Sequence, residues 1–585
     1  MRLYYIAAIS FLAITLFTLF KVFNLPLWGD DFLTIWRYLY SVGGPNPRPE
    51  WNYLSYFLTP YGPQDTVTGI LYQNFSLQAQ YFHLVSLIFR LGAAVSLIPL
   101  VFYLTKSRLS AFFSVVFFAV TVIGFDTTNW VFNMTSYISI GFFNLFIYFF
   151  VKSRDTDKIK LLLLSGLLFY LTFIWSPIRM TGLPAFVLLI ELLYLIQNFG
   201  SKTLKKVGLR LIFITCVMVF ITISGQSTGP KADLEQRSLQ GISTTLTLLS
   251  QGRFDFIFYP ILIFGGMFVP DLVVPEFPSI AKKIELFTNI ILPYLFVFTF
   301  IVLFLKANIS TLKKEFTYKT ISIAVIWSVI VMLIYSRNIT TFSDPRIIFQ
   351  LLTGGYILII AGFLYVAIYK QKNISNAIFY SITWAFISFL TAWFWNPTTI
   401  FPTFYRYLIG SAVGISIFLS TLISLGHTAK QRSRLAFLVL FFLIIQIFAT
   451  RIYLDQLVSI HGKDLSDKIW SQMPYFPAMG KVDPPLLFYF EGDDGRIVHN
   501  VLFFNFDYRI ALTYNIWNGK IPLVMGDWKS VVSAVTDGKI FKAYGREQKP
   551  LPIDHIYAFH LEGKDQLIDI TDIARSKLKE ITQTK

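Results

Sequence analysis

Two adjacent carboxylates, Asp30 and Asp31, stand in the stretch Asn24-Leu25-Pro26-Leu27-Trp28-Gly29-Asp30-Asp31-Phe32-Leu33, just after an apolar run that begins at Leu3. Acids at a membrane edge are costly unless they meet a cation or a reacting hydroxyl. The pair is therefore the candidate active centre. It would act as a general base, or as oxygen ligands of a divalent cation, Mg or Mn; the residues leave both open, and no cofactor is certain. The plainer alternative is a solvated helix start, with Asp31 capping the segment 32–40. Asp126, in the short polar loop Asp126-Thr127-Thr128-Asn129-Trp130, supplies a third acid at the same level.

Cations that would face these acids are scattered. His83 and Arg90 are seven residues apart, hence two turns apart on one helical face. Arg90 falls near mid-membrane, so it must pair or line a wet cavity, and Glu191 lies at comparable depth as a partner. For His83 a satisfied buried imidazole is the plainer reading. Arg179, Arg337, Arg346 and Arg406, the last followed by Tyr407, all fall at outer ends of apolar segments. Guanidinium forks bind phosphate oxygens bidentately, so together these would hold a pyrophosphate or phosphodiester headgroup. Interfacial snorkelling is the plainer reading of each one alone.

The elements that must position these residues follow from composition. Of 585 residues 55% are hydrophobic, 18% aromatic and 14% charged, with mean hydropathy +0.59, which excludes an ordinary soluble protein and a disordered one. Cys216 is the single cysteine, so no disulfide framework or cysteine metal site exists. The net charge of +17 belongs to the first part of the chain: residues 451–585 hold 17 basic and 17 acidic groups, residues 1–450 the remaining 33 and 16. A basic membrane part signals topology and anionic lipid, and no basic patch suits nucleic acid. P-loop, Rossmann, zinc and nucleophile-elbow motifs are absent.

Apolar runs long enough to cross a bilayer recur at 3–23, 80–104, 110–125, 135–151, 160–176, 180–197, 209–224, 287–305, 320–335, 346–369, 377–394, 405–425 and 434–450. Basic clusters alternate between them, at 106–108, 152–160, 202–210, 306–319, 370–372 and 430–434. The positive-inside rule makes these cytoplasmic, with the N-terminus inside. The first outer loop 24–79, the long outer loop 225–286 and the tail then face outside. Segment 254–269 is apolar enough to cross but would invert every later loop, so it is expected to be a re-entrant or interfacial element on the outer face, broken by Pro260, Gly265-Gly266 and Pro270. The expected fold is an α-helical polytopic membrane protein of about 13 transmembrane helices, with a transmembrane catalytic domain over 1–450. A small extracytoplasmic α/β domain follows over 451–585, with a helix at 453–470 and strands at 486–491, 497–504, 521–525, 556–561 and 566–570.

This layout resembles the GT-C class of membrane glycosyltransferases, which includes protein O-mannosyltransferases, aminoarabinose transferases and oligosaccharyltransferases. The resemblance rests on the span count and orientation, the acidic pair Asp30-Asp31 in the first outer loop, the series His83, Arg90, Asp126, Trp130, and the external tail. It implies that Asp30 or Asp31 is the general base or a metal or acceptor-positioning acid, that Asp126 is a second acid, and that Arg337, Arg346 or Arg406 binds lipid phosphate. The pair is Asp-Asp where several families have Asp-Glu. No Trp-Trp-Asp motif is present, Gly526-Asp527-Trp528 being the nearest approach, which counts against transfer to asparagine.

The expectation is a glycosyltransferase of a plasma membrane, with a composition leaning to a bacterial one. It would move a sugar from a polyprenyl-phosphate-linked donor to a glycan, lipid or protein acceptor on the outer face. Three alternatives stand beside it. A lipid-linked polysaccharide polymerase or ligase would use outer-loop arginines without needing Asp30-Asp31. A transporter or flippase predicts inverted repeats, and none is visible. The third is a catalytically silent scaffold of the same layout.

Overall fold

The computed structural model describes residues 2–583 except 46, 60, 177, 224–229, 275–313, 337–341, 343, 518–519 and 539–548. Among the described residues, seven helices are long and apolar enough to cross a membrane: Ala79–Thr105, Val131–Thr156, Ser201–Ile223, Arg346–Ala367, Lys372–Trp395, Arg406–Ser424 and Ala429–Trp470. Six shorter apolar helices join them: Ala8–Asn24, Arg108–Val120, Ile159–Trp175, Leu183–Gln197, Asp255–Phe268 and Lys319–Tyr335. Every expected span except 287–305 falls on one of these helices; that span lies outside the described residues. The chain is a polytopic helical membrane protein with a small mixed sheet in its tail.

The segment expected to be broken is a continuous ten-residue helix, Tyr259–Phe268, about 15 Å long and so about half a bilayer core. Pro260 sits in its first turn, where a proline has no hydrogen bond to lose. The glycines serve close packing. A Cβ on Gly265 would lie 1.9 Å from the Gln350 carbonyl oxygen, and one on Gly354 2.0 Å from that of Ile261. Helix Tyr259–Phe268 therefore docks backbone to backbone on helix Pro345–Ala367. Gln446 donates to the Met267 carbonyl and Thr403 to that of Gly266, satisfying acceptors near its end.

The last long helix, Ala429–His461, has 33 residues, about 50 Å, well beyond the hydrocarbon thickness. The boundary expected at 451 thus falls inside one rigid element, which carries the tail. The tail sheet has the order β2-β1-β3-β4, with β1 Leu487–Gly492, β2 Leu523–Met525, β3 Ile556–Glu562 and β4 Gln566–Asp569. β1 is parallel to β2 and β3, and β3 pairs antiparallel with β4. Side chains alternate across β1. Phe488 and Phe490 pack with Ile497, Val501 and Phe506, while Leu487 and Tyr489 face Val531, Ala534 and Leu578.

Residues 497–504, expected as a strand, are helical instead. Ile497, Val498, Val501 and Leu502 are the buried positions, a spacing that suits one helix face. The Asp494 carboxylate accepts from the Arg496 N–H and starts the turn.

Candidate active site

The short helix Asp30–Tyr38 follows the first span and begins at Gly29, which holds φ 57° and ψ −117°, a conformation open to glycine. A Cβ there would lie 1.9 Å from the Phe504 ring, and the Gly29 N–H donates to Asn505 Oδ1 at 2.6 Å. Two tail residues thereby fix the residue that precedes the acids. Trp28 packs between Trp130, His461 and Phe504, with ring centroids 4.7, 5.3 and 5.0 Å away. Trp36 donates to the Ile516 carbonyl at 2.9 Å, so both ends of the helix are held by the tail.

Asp30 lines a cavity of about 230 Å³ together with Arg37, Tyr61, Gln64, Phe132, Asn133, Ser136, Trp175, Ser176, Arg179, Arg237, Arg406 and Tyr407. Asp30 makes no hydrogen bond to a described residue. Burial lifts its carboxyl above the ordinary value, and the charges of Arg406 and Arg37 pull back against that. Arg179 is buried, donates to Asn133 Oδ1 at 2.7 Å and stacks on Tyr407 at 4.1 Å, yet its Nε has no partner among the described residues. Burial pulls its pKa below the ordinary value, and the neighbouring Arg406 adds to this. Arg406 stacks on Trp130 at 4.1 Å and presents its guanidinium to the cavity. A buried orphan donor and stacked guanidiniums facing one carboxylate make a site suited to an anion beside a proton acceptor.

Asp31 is fully buried and does not line this cavity. Its two oxygens accept the N–H groups of Trp28 at 2.9 Å and Phe132 at 2.8 Å, tying the first outer loop to the second. It is therefore not a solvated cap, and Gly29 occupies the N-cap position. Burial pushes Asp31 up to about 8 in spite of these donors. Of the pair, Asp30 alone lines the cavity, while both Asp31 oxygens meet backbone N–H groups. Among the described residues no three His, Cys, Asp or Glu side chains converge on one point.

Asp126 is not among the residues that line the cavity and accepts the Tyr453 hydroxyl at 2.5 Å; burial brings it to about 6, against that hydrogen bond and the charge of Arg406. His83 is buried and its Nε2 meets the Leu25 carbonyl at 3.1 Å, which fixes Nε2 as the protonated nitrogen and pins the exit of the first span. Arg90 donates to the carbonyls of Ala119, Phe118 and Thr121 and to the hydroxyls of Thr128 and Tyr137. A cation at the carboxyl end of helix Arg108–Val120 is well placed for its exposed carbonyls and dipole. Glu191 pairs instead with Arg210, at 2.6 Å. Arg346 is paired with Asp344 at 2.9 Å, outside the cavity lining, and Arg337 lies outside the described residues.

Arg37, Arg237 and Asp507 escape the sequence reading. Arg37 is seven residues after Asp30, two turns along one face, and that spacing was the available signal. It is held bidentately by Asp65 at 2.7 and 2.9 Å, and Tyr56 donates to the same carboxylate at 2.8 Å. Asp507, on the tail helix Phe506–Thr513, is raised to about 6 by burial, with a contribution from the charge of Asp30. Nothing local in the sequence pointed to it.

No family model matches the chain, and no curated protein matches it. Among solved structures it is similar to ArnT from Cupriavidus metallidurans in the apo state, at 13% identity and TM-score 0.32, covering 95% of this chain and 93% of that one. The same protein bound to undecaprenyl phosphate gives 14% and 0.33, covering 94% and 92%. The Archaeoglobus fulgidus oligosaccharyltransferase tethered with an acceptor peptide gives 13% and 0.36, covering 91% and 67%. Both proteins are of the class that the sequence resembles. At TM-scores this low the likeness carries no argument, and the case for the cavity rests on its own residues.

Proposed function

We propose that the chain is an integral-membrane glycosyltransferase that moves a sugar from a polyprenyl-phosphate carrier to an acceptor hydroxyl on the outer face of the membrane. The observation that carries this reading is the meeting of one half-buried carboxylate, Asp30, which makes no hydrogen bond to a described residue, with the guanidinium groups of Arg179 and Arg406 in a single cavity. A lipid-phosphate sugar brings its own leaving group. The protein has to take a proton from the acceptor and stabilise the departing phosphate.

In the reaction the acceptor oxygen bonds to the anomeric carbon as the bond from that carbon to the phosphate oxygen breaks. The acceptor proton passes to the Asp30 carboxylate. The phosphate keeps the bonding electrons and is held by Arg179 and Arg406, both of which line the cavity. Asp31 acts at one remove, by tying Trp28 to Phe132, which lines the cavity. Arg37, neutralised by Asp65, positions the helix more than it binds.

The test is sugar transfer from a mixed polyprenyl-phosphate sugar pool by the purified chain. Asp30→Asn should abolish turnover while lipid binding persists, and Arg406→Gln should weaken lipid binding. Undiminished turnover in Asp30→Asn would remove Asp30 as the base; lipid binding without turnover in the wild type would favour transport.

A further inference from the structure

A second cavity, of about 310 Å³, lies on the other side of the segment that carries the acids. Leu27, Phe32 and Leu77 give it an apolar wall, and Lys463, Asp467 and Arg509 give it a polar one. It belongs to no part of the reaction above. We propose that this cavity binds the phosphate of an anionic lipid headgroup at the outer membrane surface, with Arg509 and Lys463 as the phosphate-holding pair.

Arg509 carries the argument. Its guanidinium lies over the Trp470 ring at 4.1 Å and within 5.7 Å of the Phe32 ring, so aromatic surface covers part of it. Among the described residues it has no hydrogen-bond acceptor and no ion pair; Asp467 is felt as a charge but makes no salt bridge with it. A guanidinium that is partly dehydrated and lacks an acceptor is costly, and burial pulls Arg509 down to about 10. Its free edge lines the cavity, where an anion would supply the missing acceptor. Lys463 is exposed at the start of helix Lys463–Trp470 and adds a mobile second charge.

The depth of the cavity selects a lipid over a soluble anion. Leu27 follows the apolar helix Ala8–Asn24, Leu77 precedes the span Ala79–Thr105, and Lys463 follows helix Ala429–His461. Leu27 and Leu77 thus reach this cavity where their segments leave the apolar layer, the level at which lipid phosphates lie, and Lys463 meets them from the extramembrane end of the long helix. A wall of Leu27, Phe32 and Leu77 opposite two cations matches a molecule with an acyl-glycerol body and an anionic head. Inorganic phosphate would use only the basic side.

The proposal is independent of the glycosyltransferase reading, and its test uses binding alone. The full chain is released from nanodiscs of mixed phosphatidylglycerol and phosphatidylcholine, and retained lipid is counted by native mass spectrometry. Phosphatidylglycerol should be enriched on the wild type. The double variant Lys463→Gln/Arg509→Gln should lower that enrichment by about tenfold, the effect of roughly 1.4 kcal/mol. Lys468→Gln, an exposed charge on the same helix, should leave it in place. Because Arg509 packs against Trp470, Lys463→Gln alone carries the test if the double variant does not fold. Unchanged enrichment in the variants overturns the proposal. So does stabilisation of the wild type by inorganic phosphate without phosphatidylglycerol enrichment, which would make this a soluble-phosphate site.

Discussion

Neighbouring side chains on a helix point about 100° apart, so Asp30 and Asp31 enter different surroundings although they are adjacent in sequence. Asp30 shares a cavity with the arginines and makes no hydrogen bond to a described residue, while Asp31 is spent on two backbone N–H groups. Their pH behaviour should separate accordingly. Asp30 must be ionised to take a proton, and burial raises it, so transfer should fall with decreasing pH at a point above the usual carboxylate value of 3.8. A pH–rate profile of kcat/KM checks this; a limb at the ordinary value would contradict the buried-base assignment. For Asp31 the folded value of about 8 stands above the unfolded 3.8, so its contribution to stability is full below the lower value and is lost as pH rises through the upper. Asp31→Asn should flatten that dependence in thermal unfolding followed across this range. At low pH the same variant should be less stable by about 1–3 kcal/mol, since an amide cannot accept both N–H groups and one is left buried and unpaired.

At the scale of elements, the helix Asp30–Tyr38 is set by contacts remote in sequence. The tail holds its start through Asn505 and Phe504, and Asp65 holds its far end through Arg37. Asn505→Ala should leave the Gly29 N–H buried without an acceptor, at a cost of about 1–3 kcal/mol, and should lower kcat more than it raises KM, because Asp30 is displaced while the arginines stay. Gly29→Ala should be worse, since it combines a disfavoured φ with a clash on the Phe504 ring. Adding Phe504→Ala relieves the clash and leaves the φ cost, so rescue should be partial. Full rescue, measured as turnover and melting temperature together, would show that the backbone conformation at Gly29 is immaterial.

At the scale of the whole molecule, the reading requires the tail and the Asp30 cavity to lie on the same, outer side. The single cysteine, Cys216, makes this accessible to labelling. In a chain carrying Cys216→Ser, Lys564→Cys in the turn between β3 and β4 should react with an impermeant maleimide on intact cells, and Lys106→Cys only after lysis. The opposite pattern would place the cavity in the cytoplasm and end the proposal of an outer-face acceptor. The 33-residue helix Ala429–His461 couples the two parts, since it runs from the membrane into the tail without a break. A rigid connection of this kind lets Asn505 hold a loop more than 470 positions earlier in the chain with a 2.6 Å hydrogen bond.

The sequence by itself determined where the chain crosses the apolar layer, because a span is a local run whose length the bilayer sets and whose composition water forbids. It also determined that the tail contains strands at β1, β3 and β4, where alternation and the turn Glu562-Gly563-Lys564-Asp565 are short-range signals. The helix at 497–504 was ambiguous, since a short apolar run fits either period until its neighbours choose a face. Only the tertiary structure decided which charges meet. Arg37, Arg179, Arg237 and Arg406 look alike as sequence, yet all four line the Asp30 cavity, whereas Arg346 is taken up by Asp344, Arg90 by carbonyls and Arg210 by Glu191. Proximity between residues hundreds of positions apart is fixed by helix packing, and no local feature of the chain encodes it.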